Sequence, residues 1–148
     1  MRVRALVALV LAALAAGVVA CGSDEESGAS DQTLNLTVRV EDGNGKVARA
    51  TLDCGDGDSH GSGFLEARAD EHCRAARGLQ RLLTVPPPKD QVCTQIYGGP
   101  QTAHITGTLA GQSVARDLGL RNGCEIADWQ KAAPLLAPSG IRAGAPGP

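Results

Sequence analysis

The chain has 148 residues, 43% of them apolar but only 2% aromatic, and its 14 basic and 16 acidic residues leave a net charge of −2. That length allows one small domain, and three aromatics (Phe64, Tyr97 and Trp129) promise a thin core. The near balance of charge excludes the basic surface through which nucleic acid or an anionic membrane face is bound.

Residues 1–20 carry two arginines, then an apolar run closed by small residues, the pattern of a secretory signal peptide. The run is too short and too close to the terminus for a transmembrane anchor. Val18-Val19-Ala20-Cys21 resembles a bacterial lipobox, in which the cysteine is acylated and becomes the first mature residue. Cysteine parity agrees: of five cysteines, the one left over in an exported chain is Cys21, at the cleavage site. Removing the signal takes away Arg2 and Arg4, leaving 12 basic against 16 acidic residues and a net charge of −4. Residues 21–32 have four acids, no base and no large apolar side chain, so they read as a flexible acidic tether. The expected location is the outer face of the cell membrane, with the membrane as partner through lipid on Cys21.

Residues 33–41 alternate Leu34, Leu36, Val38 and Val40 with Asn35, Thr37, Arg39 and Glu41, which predicts a half-buried strand. Asp42-Gly43-Asn44-Gly45 is a hairpin signal, and 47–54 is the returning strand. Asp56-Gly57-Asp58-Ser59-His60-Gly61 matches the first, third and sixth positions of a calcium-binding EF-hand loop. It has His60 at the fifth, however, and Ala67 where a bidentate Glu belongs, so it reads as a Gly-rich loop. His60, His72 and His104 fit no zinc-ligand spacing with the cysteines, and exported cysteines oxidise. No cofactor is expected. The histidines have no partners that suggest a catalytic triad either, so an enzyme is not expected.

Residues 64–83 predict the longer helix, with Leu65, Ala69, Cys73 and Ala76 near one face, Ser62 as its cap and Gly78 as an end or kink. Val85-Pro86-Pro87-Pro88 is a stiff connector that no central strand admits. Cys93-Thr94-Gln95-Ile96-Tyr97 reads as an extended, exposed strip, broken by Gly98-Gly99-Pro100. Residues 102–109 predict a strand, Gly111 a turn, and 114–120 a weaker return strand. Residues 125–136 predict a short helix, capped by Asn122, with Ile126 and Trp129 facing inward and Pro134 ending it. Residues 137–148 read as a disordered tail. The domain is thus 33–136, of class α+β: an antiparallel sheet of about five strands with two helices on one face.

Were Cys93 and Cys124 to pair, an exposed strip of main chain would be pinned to the far end of its own hairpin. A serine protease binds substrate backbone as an extended strand, and a strip already rigid in that shape loses little entropy on docking. The chain resembles the subtilisin inhibitor-like family, typified by the Streptomyces subtilisin inhibitor. The resemblance rests on Cys93-x-x-x-Tyr97 followed by Pro100, a strand, a hairpin and Asn122-Gly123-Cys124-Glu125, with Cys54, Ser59-His60 and Cys73 upstream. It implies disulfides Cys54–Cys73 and Cys93–Cys124 and a reactive-site loop of Cys93, Thr94, Gln95, Ile96 and Tyr97. The scissile bond would be Gln95–Ile96, with Gln95 filling the protease's specificity pocket. A homodimer is also open by resemblance. Closing loops of about 20 and 32 residues, the bridges would contribute roughly 3 to 4 kcal/mol each. Family inhibitors commonly carry Lys, Arg or Met at the Gln95 position, and one residue, not two, between the Tyr and the Pro. The doubled glycine adds chain entropy at that point. The expected function is a lipid-anchored inhibitor of serine proteases, subtilisin-like ones first. The alternative is a non-inhibitory binding or structural lipoprotein of the cell envelope with the same fold.

Overall fold

The computed structural model describes residues 33–144, so the expected signal, Cys21, the expected tether and the last four residues lie outside the described part. Five antiparallel strands form one sheet in the order β3-β2-β1-β4-β5. They are β1 (Leu34–Glu41), β2 (Val47–Cys54), β3 (Ser59–Gly61), β4 (Thr102–Leu109) and β5 (Gln112–Leu118). Period-two alternation sets the register. Leu36, Val38 and Val40 are fully buried, and Val38 sits between Ala50 and Ile105 on its neighbouring strands. The opposite face is wet, with Arg49, Arg39, His104 and Asp117 in one cross-strand row. Leu109 and Gln112 close a two-residue turn in which Ala110 (φ 50°) and Gly111 (φ 73°) are both left-handed, the geometry that matches strand twist. The return strand therefore begins two residues before the expected Val114.

One sequence expectation changes within the sheet. Ser59–Gly61 is not a plain loop but the short edge strand β3, paired with Leu52, Asp53 and Cys54. The strip 93–97 lies outside the sheet and is exposed from Thr94 to Tyr97, as expected.

The expected helix 64–83 is three pieces: a 3-10 turn at Gly63–Leu65, α1 (Ala69–Gly78) and α2 (Gln80–Thr84). Arg68 takes a left-handed conformation (φ 59°), which stops the first turn from running on into α1. Ser62 caps no helix. Its hydroxyl instead accepts from the Thr51 N–H at 3.1 Å and bonds the Thr51 hydroxyl at 2.7 Å, extending the β2–β3 pairing. Asp70 and Glu71 in the first turn of α1 face the helix's positive end. Gly78 does end α1, and Leu65, Ala69, Cys73 and Ala76 are all buried.

The expected helix 125–136 is likewise two, α3 (Gly123–Lys131) and α4 (Ala133–Leu136). Pro134 lies in the first turn of α4 rather than ending α3, because its missing N–H costs nothing there. Asn122 does cap α3, accepting from the Glu125 N–H at 3.0 Å, and Trp129 is buried. Residues 137–144 are not the disordered tail expected there. Ala137–Ser139 forms a 3-10 turn and Ile141 is 4% exposed, part of the core.

Helices cover the apolar face of the sheet, with α1 against β2 and β3, α2 against β5 and α4 against β1. Leu52, Leu65, Ile105, Leu120, Leu135 and Leu136 fill the space between. Each such side chain contributes roughly 1.5 to 3 kcal/mol by leaving water. Cys54 and Cys73 are bonded inside this core, their Cα atoms 6.0 Å apart, and staple α1 to β2.

Candidate functional site

After α2 the chain leaves the core. Three consecutive prolines (86–88) lack the N–H that would pair with β5, and everything from Val85 to Val92 is exposed. The exposed large apolar side chains of the described residues all lie on this excursion: Val85 (52%), Val92 (96%), Ile96 (47%) and Tyr97 (57%). Hydrophobic surface gathered on one projecting segment marks a contact site for another molecule.

The excursion is fastened again on either side of Gln95, Ile96 and Tyr97. Its first root is the Cys93–Cys124 bond, with Cα atoms 5.5 Å apart. Beside it the Gly123 N–H donates to the Thr94 carbonyl at 3.0 Å, and the Thr94 hydroxyl occupies the place a Cβ on Gly123 would need. Gly123 is therefore the residue that lets Thr94 sit down on the start of α3. The second root is Gly98, which is buried and donates its N–H to the Leu120 carbonyl at 2.7 Å. Pro100 follows, packed on Gly43 at the tip of the β1–β2 turn. Gly43 is left-handed (φ 78°), and a Cβ there would overlap the Pro100 ring. That turn is itself stiff, since Asp42 Oδ1 accepts from the N–H groups of Asn44 and Lys46 at 2.7 and 3.0 Å.

Between the roots, the backbone N–H and C=O groups of Gln95, Ile96 and Tyr97 pair with nothing among the described residues. The Gln95 side chain only folds back, its amide 3.5 Å from the Cys93 carbonyl. Three residues of unpaired backbone, clamped at both ends and fully presented, can serve as a ready-made strand for another protein.

The platform below is held by ion pairs. Arg116, buried on the inner face of β5, meets Asp128 of α3 at 2.7 Å, so the helix carrying Cys124 is tied to the sheet. Glu125 accepts from the Arg121 backbone N–H at 2.9 Å and from its guanidinium at 2.9 to 3.2 Å. Partial burial pushes the Glu125 carboxyl up, but the Arg121 hydrogen bonds and charge, with Asn122, outweigh it and hold the group below its ordinary range. A cleft of about 920 Å³ lies between loop and platform, lined by Tyr97, Pro100, His104, Arg116 and Asp128 among others. Of these lining residues, Arg116 is paired with Asp128, and the His104 ring nitrogen is hydrogen-bonded to Asp117. Among the described residues, no three His, Cys, Asp or Glu side chains are placed to hold a metal ion.

Thr94, Gln95, Ile96 and Tyr97 are thus brought together as one exposed strip, with Cys93 at its root. Cys21 lies outside the described residues. The supports at Gly43, Leu120 and Gly123 went unforeseen, because each depends on a contact with distant sequence; the glycines at 43 and 123 were the available signal.

No family model matches the chain, and no curated protein matches it. Among solved structures it is similar to Streptomyces caespitosus sermetstatin in complex with Bacillus licheniformis subtilisin. The identity is 23% and the TM-score 0.41, with 71% of this chain and 96% of that one covered.

Proposed function

We propose that this protein is an inhibitor of serine proteases, subtilisin-like enzymes first, rather than an enzyme itself. The observation that carries the reading is the strip 95–97, backbone unpaired and both roots fixed. A protease would pair with that backbone as it pairs with substrate, and little ordering entropy remains to be lost. Its serine oxygen would attack the Gln95 carbonyl, breaking the bond to Ile96 and freeing the Ile96 amine. Because Cys93–Cys124, the Thr94–Gly123 contact and the Gly98–Leu120 bond hold both sides, that amine stays beside the acyl group. It attacks the acyl carbonyl, re-forms the peptide bond and returns the serine hydroxyl, so religation outruns hydrolysis.

The signal, the lipobox-like Cys21 and the two disulfides support an exported, lipid-anchored protein. The chain enters β1 at Leu34, which pairs with Cys54 and Leu109, whereas the loop side is the Glu41–Thr102 end. Eight residues of strand, roughly 25 Å, separate the two. A tether at the first end leaves the loop free at the other.

Residual activity of subtilisin, trypsin and chymotrypsin, titrated with the oxidised protein, tests this. Inhibition of subtilisin at one inhibitor per enzyme, lost on reduction, is the expected result. Full activity of all three enzymes in the presence of folded, oxidised protein contradicts it.

A further inference from the structure

The two glycines that separate Tyr97 from Pro100 are enclosed on three sides. Gly98 lies against α3 and the segment that follows β5: a Cβ on it would stand 3.0 Å from the Ile126 Cδ1 and 3.2 Å from the Leu120 Cβ. Gly99 has φ 130°, a conformation left to glycine, and a Cβ there would run into the Gln101 side chain and stand 3.4 Å from the Gly144 nitrogen. Gly144 closes the third side, since a Cβ on it would come within 2.9 Å of the Gly98 carbonyl oxygen. Backbone therefore rests on backbone: the contact itself needs glycine at 144, while φ at Gly99 and the Ile126 and Leu120 side chains beside Gly98 favour glycine at the other two positions. The segment that makes it is rooted in the core through Ile141, whose N–H also donates to the Ser139 hydroxyl at 3.1 Å. Arg142 and Ala143 are exposed, so little but this contact accounts for the path of 142–144.

We infer that residues 141–144 are a brace for the second root of the loop. The inference rests on the inhibitory reading for its consequence, not for its geometry. Two adjacent glycines are the most mobile backbone a root could have. Unbraced, they would let the freed Ile96 amine drift from the acyl carbonyl, and hydrolysis would gain on religation. With Gly144 over Gly98, that drift is blocked, and the doubled glycine becomes compatible with a rigid loop.

Two variants of the full-length oxidised protein test it. One ends after Ile141, which keeps the core side chain; the other is Gly144→Val, which places a branched Cβ against the Gly98 carbonyl. The amide of Gly98, bonded to Leu120, reports opening of the root by hydrogen exchange. In both variants its exchange should quicken roughly tenfold while the amides of β1 and β4 stay as protected as in the parent. Cleavage of the Gln95–Ile96 bond by subtilisin should quicken alongside. Unchanged Gly98 exchange in both variants overturns the brace, whatever the protease assay shows. Faster exchange in a protein that inhibits no protease supports the brace and overturns the inhibitory reading alone.

Discussion

Gln95 decides which protease would be held. Its neutral amide has no charge for the carboxylate of a trypsin-like pocket and too little apolar bulk for a chymotrypsin-like one. A buried amide short of hydrogen-bond partners costs about 1 to 3 kcal/mol, roughly tenfold to a hundredfold in affinity. Subtilisin-like enzymes take more of their grip from backbone pairing and should tolerate it best. Gln95→Lys should therefore gain trypsin inhibition by roughly that factor, and Gln95→Met should tighten subtilisin inhibition. Inhibition constants for the three proteins check this, and a folded Gln95→Lys that leaves trypsin untouched contradicts it. Glu125 acts one layer down, where it holds Arg121 and the start of α3 in place. Its folded pKa lies below the ordinary 4.5, so its contribution to stability is present above that value and fades as pH falls through the lower folded one. Glu125→Gln should flatten this acid limb of the stability curve. Denaturant midpoints measured from pH 6 down to pH 3 would read the change, and parallel curves for the two proteins would rule the linkage out.

The elements whose signals are local were legible in the sequence. β1 and β2 run as their alternation dictates, and Asn122 caps α3 because a cap needs only its own next turn. Elements whose ends depend on distant contacts were not. The break at Arg68 comes just after the turn packs on the β3 edge, where a Cβ on Gly61 would meet the Leu65 carbonyl. The order at Ile141 comes from its burial in the core, which a Pro-, Gly- and Ala-rich stretch does not advertise. At the loop, the strip itself was legible, but its supports span the chain from Gly43 to Pro100 and from Gly98 to Gly144. The two disulfides divide the work by element. Cys54–Cys73 is buried between α1 and β2, whereas Cys93–Cys124 joins the exposed loop root to α3. Removing the first pair as Cys54→Ser/Cys73→Ser should cost most of its roughly 3 to 4 kcal/mol in stability. Removing the second as Cys93→Ser/Cys124→Ser should weaken inhibition out of proportion to any fall in Tm. Equal loss of inhibition by both variants at matched stability would refute that division.

The described chain enters the sheet at the Leu34 end of β1 and presents its loop at the Glu41–Thr102 end. Intact mass and peptide mapping of the mature protein should find Cys21 as an acylated first residue; an unacylated Cys21 would remove the membrane from the proposal. The central claim is that residues 93–100 meet a protease as substrate without being used up as one. Prolonged incubation of the oxidised protein with catalytic amounts of subtilisin, followed by N-terminal sequencing of the products, tests it most directly. The account predicts one slow cut, between Gln95 and Ile96, with the two halves still joined through Cys93–Cys124 and a constant ratio of cut to intact chains at long times. Rapid cutting that runs to completion, or cutting at other bonds with Gln95–Ile96 spared, would contradict it.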